Sequence, residues 1–259
     1  MKIDPCGSEW GIRPVLVTVA GWDVPSYSFF MLLAVMVGLL LFWRETRRQE
    51  AVSERTFHVL LGALFGGVLG SKLPMIILYW REMLAEFPGL TMLISSRSIV
   101  GGLVGGAVGV FLMKKWMGII GRRGNLFVPG IAAGVAIGRL GCFLRGCCYG
   151  TPTHLPWGVD FGDGILRHPT QIYEAIFMVL VLAVGLVAVR RFPEPTGLVF
   201  KMFMITYFNF RFLIEFIRDE KVVWSGFTLF QVVSVAMVAF YAVDVMILLN
   251  KDNRIRDAG

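Results

Sequence analysis

Seven stretches of about 20 mostly apolar residues dominate the chain, at 26–43, 57–80, 89–113, 126–144, 173–189, 197–217 and 227–250. Each is about the length a helix needs to cross a bilayer's hydrocarbon core. No stretch alternates apolar and polar residues as a membrane β-barrel strand does, so a helical bundle is expected. Composition agrees: 56% of the 259 residues are hydrophobic and 17% charged, more apolar surface than a chain of this size can hide from water. The expectation is an all-α, polytopic membrane protein with seven transmembrane helices, forming a single domain over residues 1–259. The first 25 residues carry Asp4, Glu9, Arg13 and Asp23 without a continuous apolar run, which does not read as a signal peptide.

The net charge of +7 points to nucleic acid only when the basic residues form a stripe on a soluble face. Here they cluster between apolar runs, so no nucleic-acid partner is expected, and the clusters record topology and contact with anionic lipid. Arg44, Arg47, Arg48 and Arg55 follow the first run, and Lys114, Lys115, Arg122 and Arg123 the third. Arg190, Arg191 and nearby Lys201 follow the fifth, and Lys251, Arg254 and Arg256 the seventh. These 14 face six on the opposite side, namely Lys2, Arg13, Arg81, Arg167, Arg218 and Lys221. The alternation predicts an N-terminus outside and a C-terminus in the cytoplasm.

Glycines recur every four residues at Gly62/Gly66/Gly70, Gly101/Gly105/Gly109, Gly102/Gly106 and Gly134/Gly138, a pattern that lets helices approach closely through small faces. Charge inside the apolar runs is the stronger functional signal, because an ionisable group in lipid costs several kcal/mol unless paired or hydrated. Lys72, Arg97, Arg139, Arg145 and Arg211 lie within or against such runs. Tyr207, Arg211, Glu215 and Arg218 share an arc of roughly 80° on a helix, one polar stripe on an apolar cylinder. Read with the predicted topology, Arg139 and Arg211 reach similar depth in the outer half of the membrane, Arg211 about 9 Å from its helix end. Two guanidinium forks at one depth suit a phosphate, for which a phospholipid headgroup is the obvious source. The alternatives are an Arg211–Glu215 pair that only holds the bundle together, or arginines that snorkel to the interface.

Two loop motifs stand beside these arginines. GRLGCFLRGCCYG (138–150) ends the fourth run with glycines that allow a sharp turn, and RHPTQIYE (167–174) opens the fifth, with Pro169 placed where helices begin. His168 is either a structural loop histidine or, beside Arg167 at a helix N-terminus, a group that binds an anion or moves a proton. Cys142, Cys147 and Cys148, with Cys6, all fall on the predicted outer side, leaving open a disulfide, packed thiols or a metal or reactive site. Cys-x4-Cys-Cys is no standard metal spacing, so no metal is expected.

In combination and order, these motifs resemble the bacterial prolipoprotein diacylglyceryl transferases, over nearly the whole chain from Tyr27. The carriers are GRLG (138–141) followed by Phe143 and Gly146, RHPTQIYE (167–174), YFNFRFLIEFIR (207–218) and SIVGG (98–102). The resemblance implies a multi-pass enzyme of the bacterial plasma (inner) membrane with its active face toward the outer leaflet. It implies transfer of the diacylglyceryl group of phosphatidylglycerol to the lipobox cysteine of a preprolipoprotein, giving a thioether and glycerol phosphate without metal or cofactor. Arg139 and Arg211 match the family's phosphate-gripping arginines, and Gly150 matches its loop glycine. Tyr27, Gly141, Tyr207, Glu215, Arg218 and His168 match further family positions, with His168 or Tyr207 expected to take the thiol proton. The pattern departs at Val100, where the family has histidine, at Cys142, where it has asparagine, and near Cys147, where it has glutamate. A paralogue with another acceptor, a lipid transporter and a non-catalytic lipid-binding protein are the competing readings. The absence of an inverted repeat speaks against transport.

Overall fold

Backbone amides in lipid must find partners within their own segment, so apolar runs become helices. The computed structural model describes residues 12–19, 21–85, 97–121, 123–192 and 197–257. Its helices are α1 (Ser26–Arg48), α2 (Glu54–Gly70), α3 (Leu73–Ala85), α4 (Ile99–Trp116), α5 (Val128–Arg145), α6 (Thr170–Arg191), α7 (Leu198–Ile214) and α8 (Leu229–Asp257). Short 3-10 turns occupy Gly124–Phe127 and Glu215–Ile217. Three small antiparallel hairpins complete the described residues: β1 (Val15–Val19) with β2 (Trp22–Pro25), β3 (Val159–Asp160) with β4 (Leu166–Arg167), and β5 (Val222–Trp224) with β6 (Phe227–Thr228).

Six segments among the described residues are long and apolar enough to cross a membrane: Ser26–Arg48, Glu54–Arg81, Ile99–Trp116, Gly124–Arg145, Thr170–Arg191 and Leu229–Asn250. The run expected at 197–217 is shorter as an α-helix, because α7 ends after 17 residues and tightens into a 3-10 turn at Glu215. Leu32, Leu40, Phe65, Leu69, Leu180 and Val184 are each over 60% exposed, whereas Arg139, Glu174, Arg211 and Glu215 are buried. Large apolar faces outside and charge inside are the pattern of a fold solvated by lipid.

The described residues group into two compact units, one within 1–45, 124–220 and 231–259, the other within 46–123 and 221–230. In the second unit α2 and α4 meet through glycine. A methyl group on Gly66 would lie 2.3 Å from the Gly105 carbonyl oxygen, and one on Gly70 2.4 Å from that of Gly101. One on Gly109 would lie 2.1 Å from that of Gly62. The two backbones touch, so the four-residue spacing is a packing face. The expected continuous run 57–80 is broken: Ser71 N–H bonds back to Gly67 O and Lys72 N–H to Leu69 O, and α3 begins only at Leu73. The run expected from 89 starts as a helix at Ile99, capped by the Ser98 hydroxyl accepting from Gly101 N–H, and 89–96 lie outside the described residues. Lys72 and Arg97 therefore sit at helix ends, Lys72 at the break between α2 and α3 inside the Glu54–Arg81 segment. Val100 is buried in this unit.

In the first unit the β1–β2 hairpin delivers the chain to α1, and Arg13 N–H bonds to Leu144 O at the end of α5. Helices α1 and α5 touch at Gly38 and Gly130, where a methyl on Gly130 would lie 2.5 Å from Gly38 O. Helix α5 packs along α6 and also meets α7. Buried Asn125 ties their ends, donating from Nδ2 to Phe192 O at 3.0 Å and accepting from Phe200 N–H at 3.0 Å. Lys201, counted above with the loop charges, is instead buried on α7, where its Nζ lies 2.8 Å from Asp244 Oδ2 of α8.

Candidate active site

The site is built where α5, α6 and α7 meet in the first unit. Arg139 lies on α5, and its Nη2 is 2.6 Å from Oε2 of Glu174 on α6. The other oxygen of that carboxylate accepts from the Tyr207 hydroxyl of α7 at 3.0 Å. Glu174 and Tyr207 are wholly buried and Arg139 nearly so. A buried charge needs this degree of pairing, since an isolated one is strongly unfavourable in a low-dielectric interior. Arg139 Nε, however, has no hydrogen-bond partner among the described residues, so part of the fork is unsatisfied.

One turn beyond Tyr207, Arg211 pairs with Glu215 at 2.7 Å, and the same carboxylate lies 3.8 Å from Arg218 Nε. Arg218 also pairs with Glu220 at 2.8 Å and donates to Cys148 O at 3.3 Å. The predicted stripe thus divides: Arg211, Glu215 and Arg218 run together, while Tyr207 turns to Glu174. Arg139 and Arg211, on separate helices, pair with different acids, Glu174 and Glu215, and Tyr207, one turn before Arg211, bonds the acid of Arg139.

Local backbone geometry explains the rest. Gly146 caps α5 with φ 72°, a left-handed conformation that favours glycine, and returns the chain over the helix end. Gly150 then donates its N–H to His168 O at 2.9 Å, and Thr151 N–H bonds Ile217 O at 2.8 Å. A methyl on Gly150 would lie 2.3 Å from Ile217 O and 2.9 Å from His168 Cβ. Only glycine lets this loop lie against the end of α7, where Gly150 bridges to Arg218. Gln171 and Thr170, at the start of α6, donate to Cys147 O at 2.6 Å and Cys148 O at 2.8 Å.

Other expected residues lie nearby with different partners. The His168 ring bonds through Nδ1 to the Tyr173 hydroxyl at 3.2 Å, which also accepts from Trp157 Nε1 at 2.8 Å. Gly141 is a contact point for α1, 3.6 Å from Tyr27 Cα were it to carry a methyl. The Tyr27 ring lies under the Arg145 guanidinium at 5.1 Å. Arg167 pairs with Asp163 at 2.7 Å, and that hydrogen bond holds the Asp163 carboxyl below the usual range.

Two features were not among the expected site residues. Glu174 ends the RHPTQIYE motif, and its signal lies in the sequence: an acid near the start of an apolar run, as costly there as a base. The second is the arrangement of the cysteines. Cys142, Cys147 and Cys148 are free thiols, so no disulfide joins them, and Cys6 lies outside the described residues. Their three sulfurs lie within 4.8 Å of one another. The Cys148 thiol is held well below the usual range, first by hydrogen bonding with Cys142 and Cys147, then by the Arg139 and Arg218 guanidinium groups, against the opposing effect of burial. Beside the site, Ala136, Ile137 and Leu140 of α5 face Ile172, Ile176 and Leu180 of α6 across an apolar groove of about 340 Å³.

Comparison with known proteins adds a sequence-wide match. The profile of the family described as prolipoprotein diacylglyceryl transferase matches residues 14–247. The phosphatidylglycerol–prolipoprotein diacylglyceryl transferase of Clostridium tetani is 34% identical over 216 residues, covering 81% of this chain and 86% of the relative. The protein named phosphatidylglycerol–prolipoprotein diacylglyceryl transferase 2 of Clostridium perfringens is 30% identical over 81% of this chain and 84% of its own length. That of Geobacter sulfurreducens is 31% identical over 80% and 83%.

Proposed function

The chain belongs to the prolipoprotein diacylglyceryl transferase family, and from that premise we propose that it is a transferase moving the diacylglyceryl group of phosphatidylglycerol to the lipobox cysteine thiol of a preprolipoprotein. The acceptor sulfur attacks the glyceryl carbon that carries phosphate. A carbon–sulfur bond forms, the carbon–oxygen bond to phosphate breaks, and glycerol phosphate leaves with the electron pair.

The observation that supports this reading is the buried pairing of Arg139 with Glu174, whose other oxygen holds Tyr207 one turn before Arg211 and its own partner Glu215. Negative charge grows on the departing phosphate, and preorganised guanidinium donors in a water-poor site are what such a transition state needs. Arg139 Nε, without a partner among the described residues, leaves one donor of the fork for the headgroup. The apolar groove between α5 and α6 seats an acyl chain one turn from Arg139. Arg218 and Gly150 hold the loop over the headgroup, Tyr27 and Gly141 fix α1 against it, and Glu215 keeps Arg211 oriented. His168, with Tyr173 behind it, takes the acceptor's proton, and Tyr207 orients Glu174.

In this reading the protein is a single domain in the bacterial inner membrane. Its seventh crossing comprises α7 with its 3-10 extension, its N-terminus lies outside, and its active face meets the outer leaflet. The test is synthesis in liposomes of phosphatidylglycerol with a lipobox peptide, product thioether being read by mass. Arg139→Lys and Arg211→Lys should each lower the rate about 100- to 1,000-fold, the usual cost of removing one donor to a developing oxyanion. Rates within about twofold of wild type for both would refute the assignment. Val100, buried and apolar, favours a second reading in which phosphatidylglycerol is bound but no thioether forms, and the same assay separates the two.

A further inference from the structure

Three thiols cluster just past the end of α5, where Arg218 reaches the Cys148 carbonyl. Cys142 occupies the last turn of α5, three residues after Arg139, and the left-handed Gly146 brings Cys147 and Cys148 back over that turn. The three sulfurs lie within 4.8 Å of one another, and Sγ of Cys147 and Cys148 are 3.8 Å apart. Two thiolates on one tetrahedral zinc ion, at about 2.3 Å each, stand about 3.8 Å apart. One edge of a three-sulfur face is therefore already at ligation distance.

The backbone of this segment is held from outside. Gln171 and Thr170 bond the carbonyls of Cys147 and Cys148, and Arg218 bonds Cys148 O again. Cys148 itself has φ 67°, a conformation that side-chain-bearing residues rarely adopt. Supporting hydrogen bonds of this kind fix first ligands elsewhere. As residues, Cys148 is exposed and Cys142 and Cys147 are partly so. Three protein ligands with an open fourth position are the arrangement of a reactive ion, since a structural zinc closes all four.

We propose that Cys142, Cys147 and Cys148 form a three-thiolate site for a soft divalent cation of the zinc type, whose open position takes the acceptor's cysteine sulfur. This rests on the transferase reading for the acceptor and on the sulfur geometry for the ion. On binding, the acceptor thiol gives its proton to His168 or solvent and its sulfur enters the fourth position as thiolate. It then attacks the glyceryl carbon while phosphate leaves toward Arg139 and Arg211, and the neutral thioether, a poor ligand, departs from the ion. A metal-held thiolate supplies what a general base would, in a chain that carries Val100 where the family has histidine.

The experiment uses the full-length protein in lipid nanodiscs, stripped by chelator and reloaded with zinc or cobalt(II). About one equivalent should bind, thiolate-to-cobalt charge-transfer absorption should appear, and three of the four thiols should become protected from a thiol reagent. Adding a lipobox peptide should perturb the cobalt spectrum, whereas the same peptide with serine for cysteine should not. Cys142→Ser and Cys147→Ser should each abolish the charge-transfer band while phosphatidylglycerol binding persists, which shows the fold is kept. If Cys142→Ser misfolds, thiol protection in wild type still decides. Absence of bound zinc and cobalt, an unchanged band in both variants, or occupancy by copper(I) alone would overturn the site. Unaltered thioether synthesis by the stripped protein would overturn the ion's role. Metal binding with peptide perturbation but no thioether would leave the site standing and refute the transferase reading.

Discussion

Glu174 is where the bundle is most exposed to a single change. Its carboxylate serves Arg139 at 2.6 Å and Tyr207 at 3.0 Å, and the paired side chains are only 8% and 0% exposed. Glu174→Gln keeps the shape and one acceptor. It exchanges a charge-assisted bond of about 1.5–3 kcal/mol for a neutral one of about 0.5–1.5, a loss of about 1–2 kcal/mol. Glu174→Ala leaves the guanidinium buried without its partner, which costs about 3–5 kcal/mol. For a chain of this length each kcal/mol lowers the midpoint by about 2–4 °C. The shifts should then be about 2–8 °C for glutamine and about 6–20 °C for alanine, read by tryptophan fluorescence in nanodiscs. Repeating Glu174→Ala in an Arg139→Leu background closes a double-mutant cycle. Most of the alanine cost should vanish there, since no charge remains to be stranded. An undiminished cost would refute the pairing argument, because Glu174 would then matter for packing alone.

At the glycine face, Gly66→Ala should lower stability by about 1–3 kcal/mol or more through overpacking, because its methyl would meet a carbonyl at 2.3 Å. Gly67→Ala, whose methyl finds its nearest atom at 3.5 Å, should be tolerated in the same thermal assay. Gly150→Ala should separate the loop from the end of α7 and depress thioether synthesis more than it depresses the melting midpoint. In the β3–β4 turn, the hydrogen bond from Arg167 places the folded-state value of Asp163 below its unfolded one. The pair therefore supports the turn above about pH 4, and that support fades as pH falls through the folded value. Hydrogen exchange across 160–167 should accelerate near pH 3 relative to pH 6, after correction for intrinsic rates, and Asp163→Asn should remove the difference.

The helical class and most spans were legible because twenty apolar residues in a row leave the backbone no other solution. The arginines were legible because charge inside such a run is costly enough to be kept only for a reason. What escaped depended on contacts between distant segments. Lys201 reads as a loop cation until Asp244, on another helix, accounts for its burial. The break at Ser71 and Lys72 falls inside an uninterrupted apolar run, so hydropathy carried no sign of it. The partner of Arg139 could not be chosen from sequence either, since i,i+4 spacing finds Glu215 for Arg211 but not an acid on a neighbouring helix. Nor does Cys-x4-Cys-Cys announce a convergent sulfur triangle, because the left-handed glycine between its members sets the geometry.

The two arginines also differ in how they can enter a bilayer during synthesis. Arg211 carries its counter-charge on its own segment, at Glu215, and can be inserted as a self-neutralised unit. Arg139 finds its carboxylate only at Glu174, on the helix made next, so α5 travelling alone would bear a cost of about 2.5–3.5 kcal/mol. Biogenesis therefore favours delaying release of α5 from the insertion machinery until α6 has emerged, so that the two partition sideways into lipid as a hairpin.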